Sequence, residues 1–380
     1  MSPDPRSLAG LAEGSGERVL GQVASWLLPQ AGAVDALADR AAAEELVALA
    51  TSERLLGPIL LVVDAGDLAL PADLEQAAVD GHEKSMLWCL HLEQRLLEVM
   101  DWFDTAGGIE HLVIKGPAVA HLDEDDPSLR SFADLDLLVA AADMDRALAT
   151  LIQHGATRRV PERRPGFDRR FVKSVGLASP DGVELDVHRS LCSGAHGYRI
   201  PLSEIFAHAE TFTLGGRSVS APCLSHRALH AAYHAMIGTP YPSLRTLRDL
   251  ASYLVHSDLL LDELVGLADR WRATTVLAEA VRAAFDRLSF EAPEWRTWLD
   301  ALPANPDELA IIQAVREETA IPFAWSTVRE LSWVHRASFL WAVAVPSAEE
   351  LASRGMTHRT RISAGLGNLS AEARSRIGRW

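Results

Sequence analysis

The chain has 380 residues, 48% of them hydrophobic, so it can bury a substantial core and is not disordered along its length. Its formal net charge is −16, from 36 Lys and Arg against 52 Asp and Glu. A surface of that sign repels nucleic-acid backbone and anionic lipid at long range, which argues against a generic DNA or RNA binder and leaves only a local basic pocket for a small polyphosphate.

Cys89, Cys192 and Cys223 lie far apart with no CxxC pair, so a disulfide framework or thiolate zinc site is not expected and a reducing cytoplasm is. Residues Met1 to Gly16 are rich in Ser, Gly, Pro and acids and lack the apolar stretch of a signal peptide. The run Ile59 to Val63 ends at Asp64, far short of a bilayer span. A cytoplasmic protein with no membrane partner is expected.

From Glu17 to Phe103 the pattern is helical: Ala41 to Ala50 and Leu74 to Met100 carry apolar residues at helical spacing, punctuated by Pro58 and Pro71. Trp88, His91 and Trp102 are expected in packing. Residues 1–106 thus form an N-terminal helical region, its first ~16 residues mobile in the manner of chain ends.

The periodicity changes at Gly107. Glu110 to Ile114 reads as a short buried strand, interrupted by Lys115, Gly116 and Pro117, with a helical turn over Ala118 to Leu122. Asp134 to Val139 is a second strand, and Asp143 is placed to cap the helix carrying Met144, Ala147, Leu148, Leu151 and Ile152. Phe171 to Ala178 and Val183 to His188 flank a Ser-Pro-Asp-Gly turn, and Thr211 to Leu214 and Arg217 to Ser220 flank Gly215-Gly216; both read as hairpins. Residues 107–222 are therefore a small α/β unit with antiparallel elements. Residues 223–350 return to helix, with Ser225 as the expected cap. The tail, 351–380, holds six Arg against one Glu from Arg354 onward and reads as a basic or merely solvated end.

Alternation along a strand brings Asp134 and Asp136 out on one face, with Cα atoms ~6–7 Å apart, and turns Leu135, Leu137 and Val139 to the other. Two carboxylates on a buried strand repel each other and lose hydration, which a cation relieves; Mg2+ suits hard oxygen ligands and keeps open positions for phosphates. The turn at Lys115-Gly116-Pro117 has Pro at the first helical position and can aim backbone N–H groups at an anion. Arg130, four residues before Asp134, can reach phosphate oxygens. Val183 to His188 places Glu184, Asp186 and His188 on one face, so a third carboxylate is within reach of two-metal phosphoryl chemistry, with Glu184 as the alternative to Asp186.

LVIKG, then SLRSFADLDLLV, then VELDVHRSL resembles the uncharacterised nucleotidyltransferase family of the DNA polymerase beta-like nucleotidyltransferase superfamily. Lys115, Gly116, Leu129, Arg130, Asp134, Asp136, Asp186 and His188 match its pattern, and LSHRALHAAYHA with Arg245, Arg248 and Asp249 is similar to its helical region. The likeness covers residues 111 to about 254. Pro117 after Gly116, and the eighteen positions from Gly116 to Asp134, depart from the wider superfamily. The resemblance implies an α+β fold, a small mixed-sheet core between helical regions. It implies that Asp134, Asp136 and Asp186 are catalytic and hold Mg2+ or Mn2+, and that Lys115, Gly116, Arg130 and His188 bind the nucleotide. Asp186 would also help deprotonate the acceptor. The activity implied is transfer of a nucleoside monophosphate, AMP from ATP, to a hydroxyl of a small molecule, peptide or protein, with release of pyrophosphate. A catalytically weak regulatory or antitoxin-like binding protein is the alternative, against which all three aspartates argue.

His226, His230 and His234 recur every fourth residue without the carboxylates of a zinc site; packing is expected, with a substrate-pocket role as the alternative for His234. Arg158, Arg159, Arg163, Arg164, Arg169 and Arg170 crowd one stretch, a solvated loop or an acceptor-binding one.

Overall fold

A computed structural model describes residues 7–303, 305–317, 320–353 and 355; most of the Arg-rich tail lies outside the described residues. Four helices open the chain: α1 (Gly16–Ser25), α2 (Arg40–Glu53), α3 (Leu56–Asp64) and the long α4 (Ala72–Thr105). Then follow β1 (His111–Val113), α5 (Pro117–Leu122), β2 (Asp134–Val139), α6 (Met144–Gln153), β3 (Thr157–Arg158), α7 (Asp168–Phe171), β4 (Ser174–Ala178) and β5 (Glu184–His188). Two short helices, α8 (Gly194–Arg199) and α9 (Leu202–Ala207), lead to the hairpin β6 (Glu210–Leu214) and β7 (Arg217–Ala221). Its Gly215-Gly216 turn has both residues at positive φ, 54° and 79°, the conformation that a two-residue hairpin loop requires.

The first five strands form one mixed sheet in the order β1-β2-β5-β4-β3. β2 and β5 run parallel; the other neighbours are antiparallel. One face is apolar throughout. Leu135, Leu137 and Val139 join Val175, Leu177, Leu185 and Val187, packed on Leu92, Leu96 and Phe103 of α4 and Met144 and Leu151 of α6. The face predicted for Leu135, Leu137 and Val139 is the one observed, and burying each such side chain contributes ~1.5–3 kcal/mol.

The remaining helices are α10 (Leu224–Tyr233), α11 (Leu244–Leu254), α12 (Leu261–Arg270), α13 (Thr274–Arg287), α14 (Pro293–Ala301), α15 (Pro306–Arg316), α16 (Ala320–Glu330), α17 (Trp333–Ala344) and α18 (Ala348–Ser353). A π-helical turn, His234–Gly238, continues α10. The second core joins α1 and α3 to α10, α11 and α13 around Trp271, Trp295 and Tyr253, and Leu112, Ile114 and Leu138 of the sheet enter it too. Among the described residues no helix is long and apolar enough to cross a membrane.

Two local expectations are corrected and a third is extended. Cys223, not Ser225, stands at the N-terminus of α10, because the helix begins at Leu224 and places Ser225 inside its first turn. Asp143 precedes α6, but its carboxylate pairs with Arg146 at 2.7 Å instead of accepting from the backbone. Trp88 and Trp102 pack on the sheet core, and His91, half-exposed, packs on Trp88 with ring centroids 5.3 Å apart but also sets Nε2 2.7 Å from Asp181 Oδ2, a partner not foreseen.

Three ion pairs tie the segment between α5 and β2 to the helices that follow the sheet. Asp123 takes Arg227 at 2.6 Å, Arg248 closes on Glu124, and Arg130 meets Asp249 at 2.7 Å. The extra positions between Gly116 and Asp134 are thus anchored across the molecule.

Candidate functional site

Parallel pairing of β2 with β5 sets Asp134 opposite Glu184, Asp136 opposite Asp186, and Leu138 opposite His188. Asp136, Asp186 and His188 each offer a ligand atom, all within 4.8 Å of one another. Asp136 is 3% exposed, and both its oxygens are held: His188 Nε2 is 2.6 Å from Oδ1 and Lys115 Nζ is 3.0 Å from Oδ2. Burial alone would raise this carboxyl, but the Lys115 ammonium and the His188 hydrogen bond outweigh it and hold it well below the usual carboxylate range. Asp186 goes the other way. Burial raises it, and the negative charges of Asp136 and Asp134 add to the rise against the pull of His188.

Burial lowers the His188 pKa against the opposing effect of Asp136, to whose Oδ1 the Nε2–H donates. His188 is fully buried behind that carboxylate and orients it, as an outer partner orients a ligand. Asp134 is half-buried beyond the cluster. Glu184 turns outward to Arg159 at 2.6 Å, which leaves Asp186 as the carboxylate beside Asp136.

Lys115 is delivered by the turn that ends β1. Gly116 adopts φ 53° and ψ −110°, and a Cβ there would sit 3.3 Å from the Phe132 ring, so both conformation and space call for glycine. Pro117 is the first helical residue, as read from the sequence. The expected anion cradle is reduced, however: α5 has six residues, and the Ala118 N–H donates to Lys115 O at 3.1 Å. What the turn presents is the Lys115 side chain.

Between this turn and the helices lies a narrow cavity of about 90 Å³, lined by Lys115, Asp134, Asp136, His230, His234 and Arg245 among others. That volume suits a phosphate group, not a whole nucleoside. Arg130 forms part of the wall, but its guanidinium is engaged: Nε and Nη2 donate to Asp249 at 2.8 and 2.7 Å, and Nη1 donates to Ser131 O at 2.8 Å. Among the described residues that line this cavity, Arg245 is the uncommitted cation. Its buried Nε has no hydrogen-bond partner, and burial together with the charge of Arg130 brings its pKa to about 10, which leaves it charged at neutral pH.

His230 Nδ1 donates to Ile114 O at 3.3 Å, and its Nε2 is buried without a partner. Burial and Lys115 hold the imidazole well below its usual range, so Nε2 is an acceptor aimed at the cavity. His234 opens the π-helical turn and contacts Thr246 Oγ1 at 3.1 Å; such turns recur at functional sites because the extra residue re-aims a side chain. His226, by contrast, stacks on Trp271 with centroids 5.2 Å apart. The three histidines therefore do not converge. Sequence reading missed Arg245 and His230 as cavity groups; the available signal for Arg245 was its place on the polar side of the strongly amphipathic α11.

A second, larger cleft of about 780 Å³ opens on the β4 side of the sheet, lined by Arg158, Arg159, Arg163 and Lys173 together with Phe167, Phe171 and Phe339. The Arg-rich stretch divides here. Arg164 stacks on Trp341 and Arg169 pairs with Asp145, while Arg158, Arg159 and Arg163 face the cleft.

No curated protein matches the sequence. Among solved structures the chain is similar to the crystal structure of an antigenic nucleotidyltransferase-like protein from Paracoccidioides brasiliensis, at 16% identity and a TM-score of 0.31, over 54% of this chain and 93% of that one. A family model described as uncharacterised nucleotidyltransferase matches residues 39–289, more than half of the chain and inclusive of Lys115, Asp134, Asp136, Asp186, His188, His230 and Arg245. The chain belongs to that family of nucleotidyltransferases.

Proposed function

We propose that the protein transfers a nucleoside monophosphate, AMP from ATP, to the hydroxyl of an acceptor, with Mg2+ or Mn2+ held by Asp136 and Asp186 and flanked by Asp134. The observation that carries the reading is the register of Asp136 with Asp186 on adjacent parallel strands, with Lys115 already standing as a counter-ion to Asp136. The donor set fits a hard divalent ion: two carboxylate groups with ligand atoms within 4.8 Å, one of them raised by burial and by its neighbours' charge, gain from a shared cation. When bound, such an ion supplies charge neutralisation at the phosphates and lowers the pKa of a coordinated hydroxyl.

The chain's own groups do the rest. Lys115 and Arg245 face the phosphate-sized cavity and offset the charge that develops on the leaving pyrophosphate. The acceptor oxygen attacks the α-phosphorus, the α–β bridging P–O bond breaks with its electron pair leaving on pyrophosphate, and the hydroxyl proton passes to Asp186. His188 keeps Asp136 in place. Arg130, committed to Asp249, serves by fixing the wall. Calorimetric titration with a non-hydrolysable ATP analogue tests the reading: binding is expected only with Mg2+ or Mn2+, and equal affinity in EDTA overturns it.

A further inference from the structure

The cleft on the β4 side shares no lining residue with the phosphate cavity, yet it reaches the same carboxylates. Gly176 lines it and is the register partner of Asp186. A Cβ on Gly176 would lie 3.1 Å from Asp186 Oδ1 and 3.3 Å from Arg159 Cδ, so Asp186 and Arg159 meet over this glycine. The phosphate cavity approaches Asp134 and Asp136 from the α10 and α11 side. In-line phosphoryl transfer needs the entering and leaving oxygens on opposite sides of the phosphorus, so an acceptor needs a space other than the one that holds the leaving phosphates.

The cleft's chemistry opposes that of the molecule. In a chain of net charge −16, it gathers Arg158, Arg159, Arg163 and Lys173 against Asp168 and Glu350. The Lys173 ammonium has no hydrogen bond or ion pair among the described residues. Arg159 holds only Glu184, about half-exposed like itself, an ion pair of the kind that contributes little and exchanges readily. Phe167, Phe171 and Phe339, in mutual ring contact with Phe167 stacked on Phe339, add an apolar wall. A volume of about 780 Å³ lies within the range of small-molecule sites.

Resting on the nucleotidyl-transfer reading, we infer that this cleft is the acceptor site and that it takes a small hydroxy compound carrying an anionic group next to an apolar body. The anion sits against Lys173 and Arg159, the apolar part lies along the phenylalanines, and the hydroxyl points over Gly176 to Asp186. Guanidinium and ammonium groups recognise carboxylate and phosphate alike, so the anion can be either.

The test is binding of defined probes to the full chain without nucleotide. One arm compares 3-phenyllactate with neutral 3-phenyllactamide, the other glycerol 3-phosphate with glycerol. At least one anion is expected to bind tenfold or more tightly than its neutral partner. Lys173→Gln should remove that preference, and Arg159→Gln, at an exposed position that folding does not need, should reduce it several-fold. Equal binding of anion and neutral compound, no binding of either anion, or a preference that survives both substitutions overturns the assignment. Mg–ATP-analogue affinity of the same proteins is measured separately. If it falls in parallel with probe binding, the cleft belongs to the nucleotide and the inference is wrong. If the analogue fails to bind the unsubstituted chain while the anion preference holds, the transfer reading fails and the anion site stands.

Discussion

Lys115 Nζ rests 3.0 Å from Asp136 Oδ2, so the carboxylate best placed to hold a metal already has a cation of the protein's own. A divalent ion entering the site competes with that ammonium and frees it to turn toward the phosphate cavity that it also lines. Lys115→Met should therefore leave Asp136 buried with His188 alone, and loss of one partner of a buried pair costs about 3–5 kcal/mol. The expected result is a thermal midpoint that falls in EDTA and recovers with millimolar Mg2+, together with triphosphate affinity at least tenfold weaker. A midpoint indifferent to Mg2+ would count against Asp136 as a ligand.

Asp186 and Glu184 separate by their partners. Glu184 is turned to Arg159 at the surface, whereas Asp186 faces Asp136 across the strand pair. Asp186→Asn is expected to keep Mg–triphosphate affinity within about tenfold, roughly 1.4 kcal/mol, and to lower the transfer rate at least about a hundredfold. Glu184→Gln should change the rate only modestly. Pyrophosphate release reads both, and the reverse ranking would move the role to Glu184. Removing the Asp186 charge also removes repulsion from Asp136 and Asp134, so the metal-free Asp186→Asn protein should melt no lower than the parent.

Arg130 and Arg245 make opposite demands. Arg130→Ala strands Asp249 without its bidentate partner and should destabilise the fold by about 3–5 kcal/mol. Arg245→Gln removes a cation that the fold does not use and should leave the thermal midpoint unchanged or higher, while weakening triphosphate binding about tenfold. Denaturation and calorimetry on the two variants decide. An Arg245→Gln protein with normal triphosphate affinity would take that guanidinium out of the site.

The cleft wall carries a pH signature. Burial raises the Asp168 carboxyl to about 6 despite Arg158 beside it. A folded pKa above the unfolded ~3.9 means that the stabilisation from this group is complete below ~3.9 and is lost as pH rises through about 6, an effect on the order of 3 kcal/mol at neutral pH. Asp168→Asn should match the parent near pH 4 and exceed it at pH 7.5. Thermal melts across that range check the sign; parallel curves for the two proteins would refute it.

Much of the core was legible because its pattern is local. Strand Asp134–Val139 follows from alternation alone, and both hairpins from their turn residues. The Lys115–Asp136 contact was not read from the sequence, where the resemblance implied a nucleotide role for Lys115. What the sequence hides is pairing across distance. Arg130 stands four residues before Asp134 and invites a phosphate role, but its partner is Asp249, 119 positions on. Register between β2 and β5, which sets Asp186 beside Asp136 and Glu184 beside Asp134, is likewise invisible to periodicity. His91 packs on Trp88 as expected, but its partner Asp181, 90 residues away on a hairpin turn, was not readable.

The three ion pairs that join residues 123–130 to α10 and α11 have a bearing on how the molecule can be divided. Each pair places one charge on either side of the junction at residues 222–223, and none of the six side chains is more than 9% exposed. Cleavage of the backbone there would hand each fragment three desolvated charges without counter-charges, along with a bared half of the helical core. Neither piece is expected to be an autonomous folding unit. Produced together, the same pieces carry complementary charges and matching apolar faces, and should reassemble in trans into a split but working protein.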